Sequence, residues 1–293
     1  MRKAFVLLGV LACTPFTANS VEWFEANTPL TQAHQHLLND NLPGMFNSLV
    51  EVFQRDQSPA IRNHLNDLLI QALEADCGQS LDNKQLPDWV SSVIVRRSNI
   101  QSPGRDAYRA NVLVSAKKEI QDISLKRWVD KPLSTDASFF AKPSDIDLEQ
   151  PELVYQKRYN LNSRVQMGLY RLDITAKDQE TWSSWIVLGD AKAKQVVRWA
   201  SKDQWVIEKR QLLNDYCPLP KLTVALYDYV DGKYDEVWSN TYESDYPMSL
   251  DSINIDPDRY VLAVSMSHQR WQGQIIIEQS QIISKTYDVS VEE

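Results

Sequence analysis

The chain has 293 residues, with 31 basic and 39 acidic side chains, a net charge of −8 and a pI near 5.1. An acidic chain is a poor partner for nucleic acid or an anionic lipid surface, and no stretch after the first twenty residues is apolar for the eighteen or so that a membrane span requires. Eight glycines are scattered between Gly9 and Gly273, which excludes phosphate loops, dinucleotide fingerprints and the Gly-x-Ser-x-Gly elbow, since each needs glycines clustered where backbone turns sharply or meets a ligand.

Residues 1–20 read as a secretory signal. Arg2 and Lys3 precede an apolar run over 4–12 that is too short to cross a bilayer, and Ala18-Asn19-Ser20 supplies a small-residue cleavage site before Val21. Cys13 admits a competing lipoprotein reading, with lipid attached at that cysteine, but the apolar run breaks at Thr14 and Pro15. Cleavage removes Arg2 and Lys3, leaving 29 basic against 39 acidic residues, a mature charge of −10. The expected compartment is the periplasm, with an extracellular location as the variant. Cys77 and Cys217 then remain, and an even pair in an oxidising space most simply forms one disulfide; two buried thiols are the alternative.

From 28 to 77 the apolar spacing is helical: Leu30, Ala33, Leu37 and Leu38, then Phe46, Leu49, Val50 and Phe53, then Ile61, Leu65, Leu68, Leu69 and Ala72. Thr28-Pro29 and Ser58-Pro59 each offer a capping oxygen and a proline for the first helical position, and Gly78 can close the last helix. Three short helices follow, resembling one helical-repeat hairpin with a capping helix.

From Pro87 the period changes to two. Strands are predicted over 90–96, 109–116, 120–128, 154–159, 170–176 and 182–188, and again over 205–209, 222–230, 233–238, 260–267 and 274–283. Asp231-Gly232 marks a hairpin turn. The two sets read as diverged copies. Val112 to Trp128 and Leu222 to Trp238 have the same spacing, and the stretch from Gly168 to Ile174 matches that from Asp258 to Val264, placing Tyr170 opposite Tyr260. The first set carries a longer insert containing Pro132, Pro143 and Pro151. The expected fold is α+β and multidomain: signal peptide 1–20, a three-helix domain over 21–80, and two immunoglobulin-like β-sandwich modules over 86–190 and 198–293.

Few constellations carry chemistry. His34 and His36 are two apart and point away from each other on a helix, so they cannot chelate together, and His64 and His268 complete no catalytic set. Asp251, Asp256 and Asp258 could offer oxygens to calcium, but Asp and Asn before a strand usually make turns, and the bending glycine of a calcium loop is missing. Trp182 and Trp185 are candidate ligand-binding aromatics; their odd separation sends them to opposite faces of a strand. The pairs Arg96-Arg97, Lys117-Lys118, Lys126-Arg127 and Lys157-Arg158 read as solvated edges that guard against strand pairing. No catalytic residue, metal site or cofactor is assigned.

Leu42-Pro43-Gly44-Met45-Phe46 and the Asp76-Cys77-Gly78 turn, with a signal, a helical hairpin and two β-modules around them, resemble an uncharacterised family of exported proteins from vibrios and their relatives. The resemblance implies a periplasmic protein. Members are encoded beside envelope-sensing two-component systems, which implies a partner in the envelope. The expected role is a non-enzymatic adaptor that binds another envelope protein. The alternatives are a glycan- or peptidoglycan-binding protein using Trp182 or Trp185, and a hydrolase whose site converges only in the fold.

Overall fold

The computed structural model describes residues 27–56, 58–143, 153–190, 192–250 and 255–289; the signal segment with Cys13, and also Asp251, lie outside them. Three helices lead: α1 Pro29–Leu38, α2 Leu42–Arg55 and α3 Pro59–Asp76. The Thr28 hydroxyl accepts the Thr31 amide at 3.2 Å, and Pro29 occupies the first helical position, as the sequence indicates. Asn41 caps α2 by accepting the Gly44 amide at 3.0 Å. Ser58 makes no side-chain cap; its own amide instead donates to Asp56 at 2.8 Å, so a preceding carboxylate has taken over the turn. Cys77 ends α3 in the left-handed conformation at φ 59°, and Gly78 follows at φ 86°. A Cβ on Gly78 would stand 2.1 Å from the Trp271 carbonyl oxygen, so close backbone approach as well as positive φ requires glycine there.

Fourteen strands follow among the described residues: β1 Val90–Ser102, β2 Arg105–Ala116, β3 Ile120–Arg127, β4 Lys131–Pro132, β5 Ala137–Pro143, β6 Leu153–Leu161, β7 Gly168–Ala176, β8 Thr181–Leu188, β9 Gln195–Trp199, β10 Trp205–Lys209, β11 Lys221–Val230, β12 Lys233–Tyr242, β13 Arg259–Gln272 and β14 Ile275–Asp288. They form an eight-stranded sheet in the order β12-β11-β13-β14-β1-β2-β6-β5, a four-stranded sheet β4-β3-β7-β8 and a two-stranded sheet β10-β9. The protein is therefore α+β, with an N-terminal helical trio followed by β-layers.

The large sheet runs through both predicted β-segments. β14 pairs parallel with β1, from Val93 opposite Ile275 to Gln101 opposite Ile283, and joins the two halves by backbone hydrogen bonds. Over the first half, the four-stranded sheet covers β1, β2 and β6 around a core that includes Val93, Val95, Val112, Leu172, Ile174 and Ile186. Over the second half, β9 and β10 cover β13 and β14 around Val197, Trp205, Leu222, Val264 and Met266. The helices lie on the outer side of the four-stranded sheet. Phe46, Leu49, Phe53 and Leu69 pack with Leu169 and Val187, which point away from the β-core. Each of these buried side chains contributes roughly 1.5–3 kcal/mol, so the helical trio is held mainly by this face.

The expected copies match in part. Strand order β4-β3-β7-β8 repeats as β12-β11-β13-β14, and the Tyr170 and Tyr260 hydroxyls each donate to a carbonyl four residues upstream, Gln166 at 2.6 Å and Asp256 at 2.7 Å. The other match is out by one strand. Residues 112–116 and 120–127 lie in different sheets, whereas 222–230 and 233–242 form one hairpin, closed by the positive-φ turn Asp231-Gly232. The longer insert of the first half holds β5 and β6, which extend the large sheet at its far edge.

Candidate functional site

The cleft that stands out arises from a break in the layering. The four-stranded sheet ends at Leu188 and the two-stranded sheet begins at Gln195, so a gap opens between them above the large sheet, bordered by residues 189–190 and 192–194. Side chains of β1, β14 and β13 face that gap in register. Arg97 stands opposite Gln279, which stands opposite His268; two residues along, Arg270 stands opposite Ile277. Alternate residues share a face, so these five belong to the same surface that buries Val95, Val264 and Met266 elsewhere. The gap is walled by α3 through Asn66, Ile70 and Leu73, and by the irregular loop 210–220 through Leu213, Asn214 and Pro218. What remains is a cavity of about 590 Å³, a size that accommodates a small ligand.

The wall is pinned at two points. Cys77, at the end of α3, is disulfide-bonded to Cys217 in the loop, as the sequence predicts. Asn214 Nδ2 donates to the Leu73 carbonyl at 3.0 Å, which also accepts the Cys77 amide at 3.0 Å. Both anchors hold the loop against α3 and leave Leu212, Tyr216 and Leu219 projecting outward at 90%, 64% and 55% exposure. Of these three, Leu212 lines the cavity, and all three are exposed on one short loop.

The polar side chains at the seam satisfy the open edges of the covering sheets. Gln272 accepts the Val187 amide at 3.0 Å and donates to the Trp185 carbonyl at 2.6 Å. Gln281 does the same for both backbone groups of Val197, at 2.9 and 2.8 Å. Arg270 Nη2 donates to the Val187 carbonyl at 3.1 Å, and Arg97 Nη1 to the Gly189 carbonyl at 2.9 Å. His268 Nε2 accepts the Gln195 amide at 3.2 Å, which places the ring proton on Nδ1. Burial, with the nearby Lys194 charge second, holds the His268 pKa down to about 4, so the ring is neutral at physiological pH.

The two arginines are not satisfied by these contacts. Arg97 Nε and Arg270 Nη1 are buried with no hydrogen-bond partner among the described residues. Ion pairs among those residues include Arg96 with Glu278 at 3.0 Å on the opposite face, but none to Arg97 or Arg270. Burial lowers the pKa of both, and the Arg97 charge adds to the depression of Arg270, to about 9; at Arg97, Tyr170 and then Asp190 offset the burial in part. Each side chain sits deep in the protein mass yet retains some accessible surface, and that surface opens on the cavity. Asp67, Glu74 and Asp190 also line the cavity, against Arg97, Arg270, Lys192 and Lys194.

The other sequence candidates are dispersed. Trp182 and Trp185 do face opposite sides of β8. Trp182 packs at the rim of the β-core, with its Nε1 donating to the Gln85 carbonyl at 3.1 Å and the Lys84 ammonium 5.8 Å from its ring; Trp185 packs edge-to-face on Trp128 beneath the helices. His34 and His64 meet, Nε2 to Nε2 at 2.8 Å, joining α1 to α3, while His36 lies beside Asn41; the thirty-residue separation of His34 and His64 hid the pair. Asp258 accepts the Arg259 amide at 2.6 Å, a turn role. Arg96-Arg97 is not a solvated edge pair: β1 is central in the sheet, so one arginine meets Glu278 and the other turns inward. Lys157 pairs with Asp122 at 2.9 Å and Arg158 lies over Phe140. Among the described residues no group of three or more His, Cys, Asp or Glu could hold a metal, and no helix is long and apolar enough to cross a membrane.

Sequence reasoning missed the cleft because its floor joins β1 to the β13–β14 hairpin, which lies far away in the chain. The available signal was the inward phase of Arg97 after Val93 and Val95, of Arg270 after Leu262, Val264 and Met266, and of Gln279 after Ile275 and Ile277.

Fold and cleft together define an α+β protein in which a helical cap and two β-layers enclose a ligand-sized cavity pinned by a disulfide. Residues 23–288 match the family described as "Protein of unknown function (DUF2861)", and the chain belongs to that family. Comparison with curated proteins finds no match.

Proposed function

We propose that the protein is an exported, periplasmic, non-enzymatic adaptor that holds another envelope protein at the mouth of the cleft. The observation that carries this reading is the loop 210–220, which is covalently fixed to the end of α3, lines the cavity through Leu212, and also presents Tyr216 and Leu219 to solvent. Rigid display of apolar anchors next to a pocket is how binding surfaces concentrate their energy. The disulfide supports an oxidising compartment. The matched strand orders and the paired tyrosine bonds support reading the two halves as diverged immunoglobulin-like sandwiches, a fold that commonly presents surfaces. The glycan alternative rests on Trp182 or Trp185; Trp182 packs against the core rim with Lys84 over its ring, and Trp185 packs edge-to-face on Trp128.

The test is site-specific photo-crosslinking from position 212 in living cells, with mass spectrometry of the products. One abundant envelope protein is expected. Attachment to no protein, with the chain sedimenting with cell-wall material, would replace the adaptor by glycan binding.

A further inference from the structure

The cavity floor holds two guanidinium groups that the fold itself leaves short of partners. Arg97 and Arg270 each spend one of five N–H donors on a strand-edge carbonyl, and Arg97 Nε and Arg270 Nη1 remain buried without an acceptor. Two like charges lie diagonally across β14, with no ion-paired carboxylate among the described residues. If they served only to clip the edges of β8 and the segment after it, neutral glutamines would suffice, as Gln272 and Gln281 show on the same face. Around them the wall is apolar at Ile70, Leu73, Leu213 and Ile277.

We propose that the floor of the cavity is an oxyanion-binding subsite, in which Arg97 and Arg270 together receive a carboxylate or phosphate carried on an apolar chain that lies against α3 and the loop. A guanidinium matches either group with paired N–H donors, and a low-dielectric surround strengthens each such bond. The neutral His268 beside them neither supplies a competing anion nor adds to the repulsion. Asp190, Asp67 and Glu74 set the limit on the field: Asp190 follows the Gly189 carbonyl that Arg97 bonds, while Asp67 and Glu74 belong to α3. The inference rests on the reading of the cleft as the recognition site, and it concerns the chemical group that enters rather than the molecule that carries it.

The experiment is isothermal titration of the oxidised mature protein with octanoate, octyl phosphate, inorganic phosphate and octyltrimethylammonium. Saturable binding of one or both alkyl anions is expected, with the better of the two naming the headgroup, and with the alkyl cation silent. Arg97→Met and Arg270→Met should each weaken that binding by about ten- to a hundredfold, the usual effect of losing a charged hydrogen bond. Arg97→Lys should recover part of it. Circular dichroism and a thermal melt confirm that each variant is folded; should Arg97→Met fail to fold, Arg97→Lys and Lys194→Met provide the comparison, and both should weaken the alkyl anion. Binding of the alkyl cation as tight as that of the anions, no binding of either anion, or full affinity in folded arginine variants would overturn the subsite. Those results leave partner capture at position 212 intact, whereas loss of capture with anion binding retained removes the adaptor reading alone.

Discussion

Replacing Arg270 by Met removes a charge that the folded protein holds at a disadvantage. Its pKa falls to about 9, well below the ordinary arginine value, because of burial first and Arg97 second. At about 1.4 kcal/mol per pH unit, that depression corresponds to a penalty on the order of 5 kcal/mol in the charged folded state, an upper figure because cavity water relaxes around the group. Loss of the bond to the Val187 carbonyl works the other way and costs about 1–3 kcal/mol. Met fills a similar volume against Ile277. The net expectation is a variant more stable than the parent by roughly 1–3 kcal/mol at pH 7, the signature of a residue kept for binding rather than for stability. The sign with pH follows from a depressed base. The penalty is complete below the folded pKa and lifts as pH rises from about 9 toward the unfolded value, so the advantage of Arg270→Met should shrink above pH 9. Urea denaturation followed by tryptophan fluorescence, with the disulfide intact, measures the difference. A loss of more than about 2 kcal/mol in Arg270→Met would refute the reasoning, since it would mean that Arg270 is compensated in the fold.

Replacing Cys77 and Cys217 together by Ser should lower stability by up to about 5 kcal/mol, the chain-entropy value for a bridge that spans 140 residues, and should admit protease at loop 210–220; denaturation and limited proteolysis report both. On acidification the unfolded state binds a proton at His268 before the folded state does. Stability should therefore fall as pH drops from about 6.5 toward 4 and flatten below, with up to about 3 kcal/mol at stake, and the slope should lessen in His268→Gln. Tyr170→Phe and Tyr260→Phe should each cost about 1 kcal/mol for a lost hydroxyl-to-carbonyl bond; effects that differ severalfold by chemical denaturation would argue against equivalent roles in the two halves.

Local order was legible in the sequence, and long-range assembly was not. Helix starts at Thr28-Pro29 and Ser58-Pro59 follow from backbone chemistry within a few residues, and the observed α1 and α3 begin there. The strands over 120–128, 205–209 and 222–230 agree with β3, β10 and β11 to within a residue or so because alternation is a local signal. β9 was missed since five residues with three apolar ones scarcely establish a period, and β5 since it lies among prolines. Joining of the two halves by parallel β1 and β14 leaves no local mark, because β-pairing between residues as distant as Val93 and Ile275 depends on the whole fold. The disulfide was readable from cysteine count and compartment alone, yet its role in fixing one wall of a cavity needed the geometry. Arg97 was visible as a charged residue and misread as a sheet guard, because strand centrality, unlike alternation, cannot be taken from a single segment.

The most direct measurement is photo-crosslinking from position 212 in living cells, comparing the native chain with the Arg97→Met/Arg270→Met double variant at equal abundance. Capture of one envelope protein by the native chain, reduced about tenfold or more in the double variant, is the expected result. Equal capture by both chains would contradict the account, because the partner would then be held without the cavity floor.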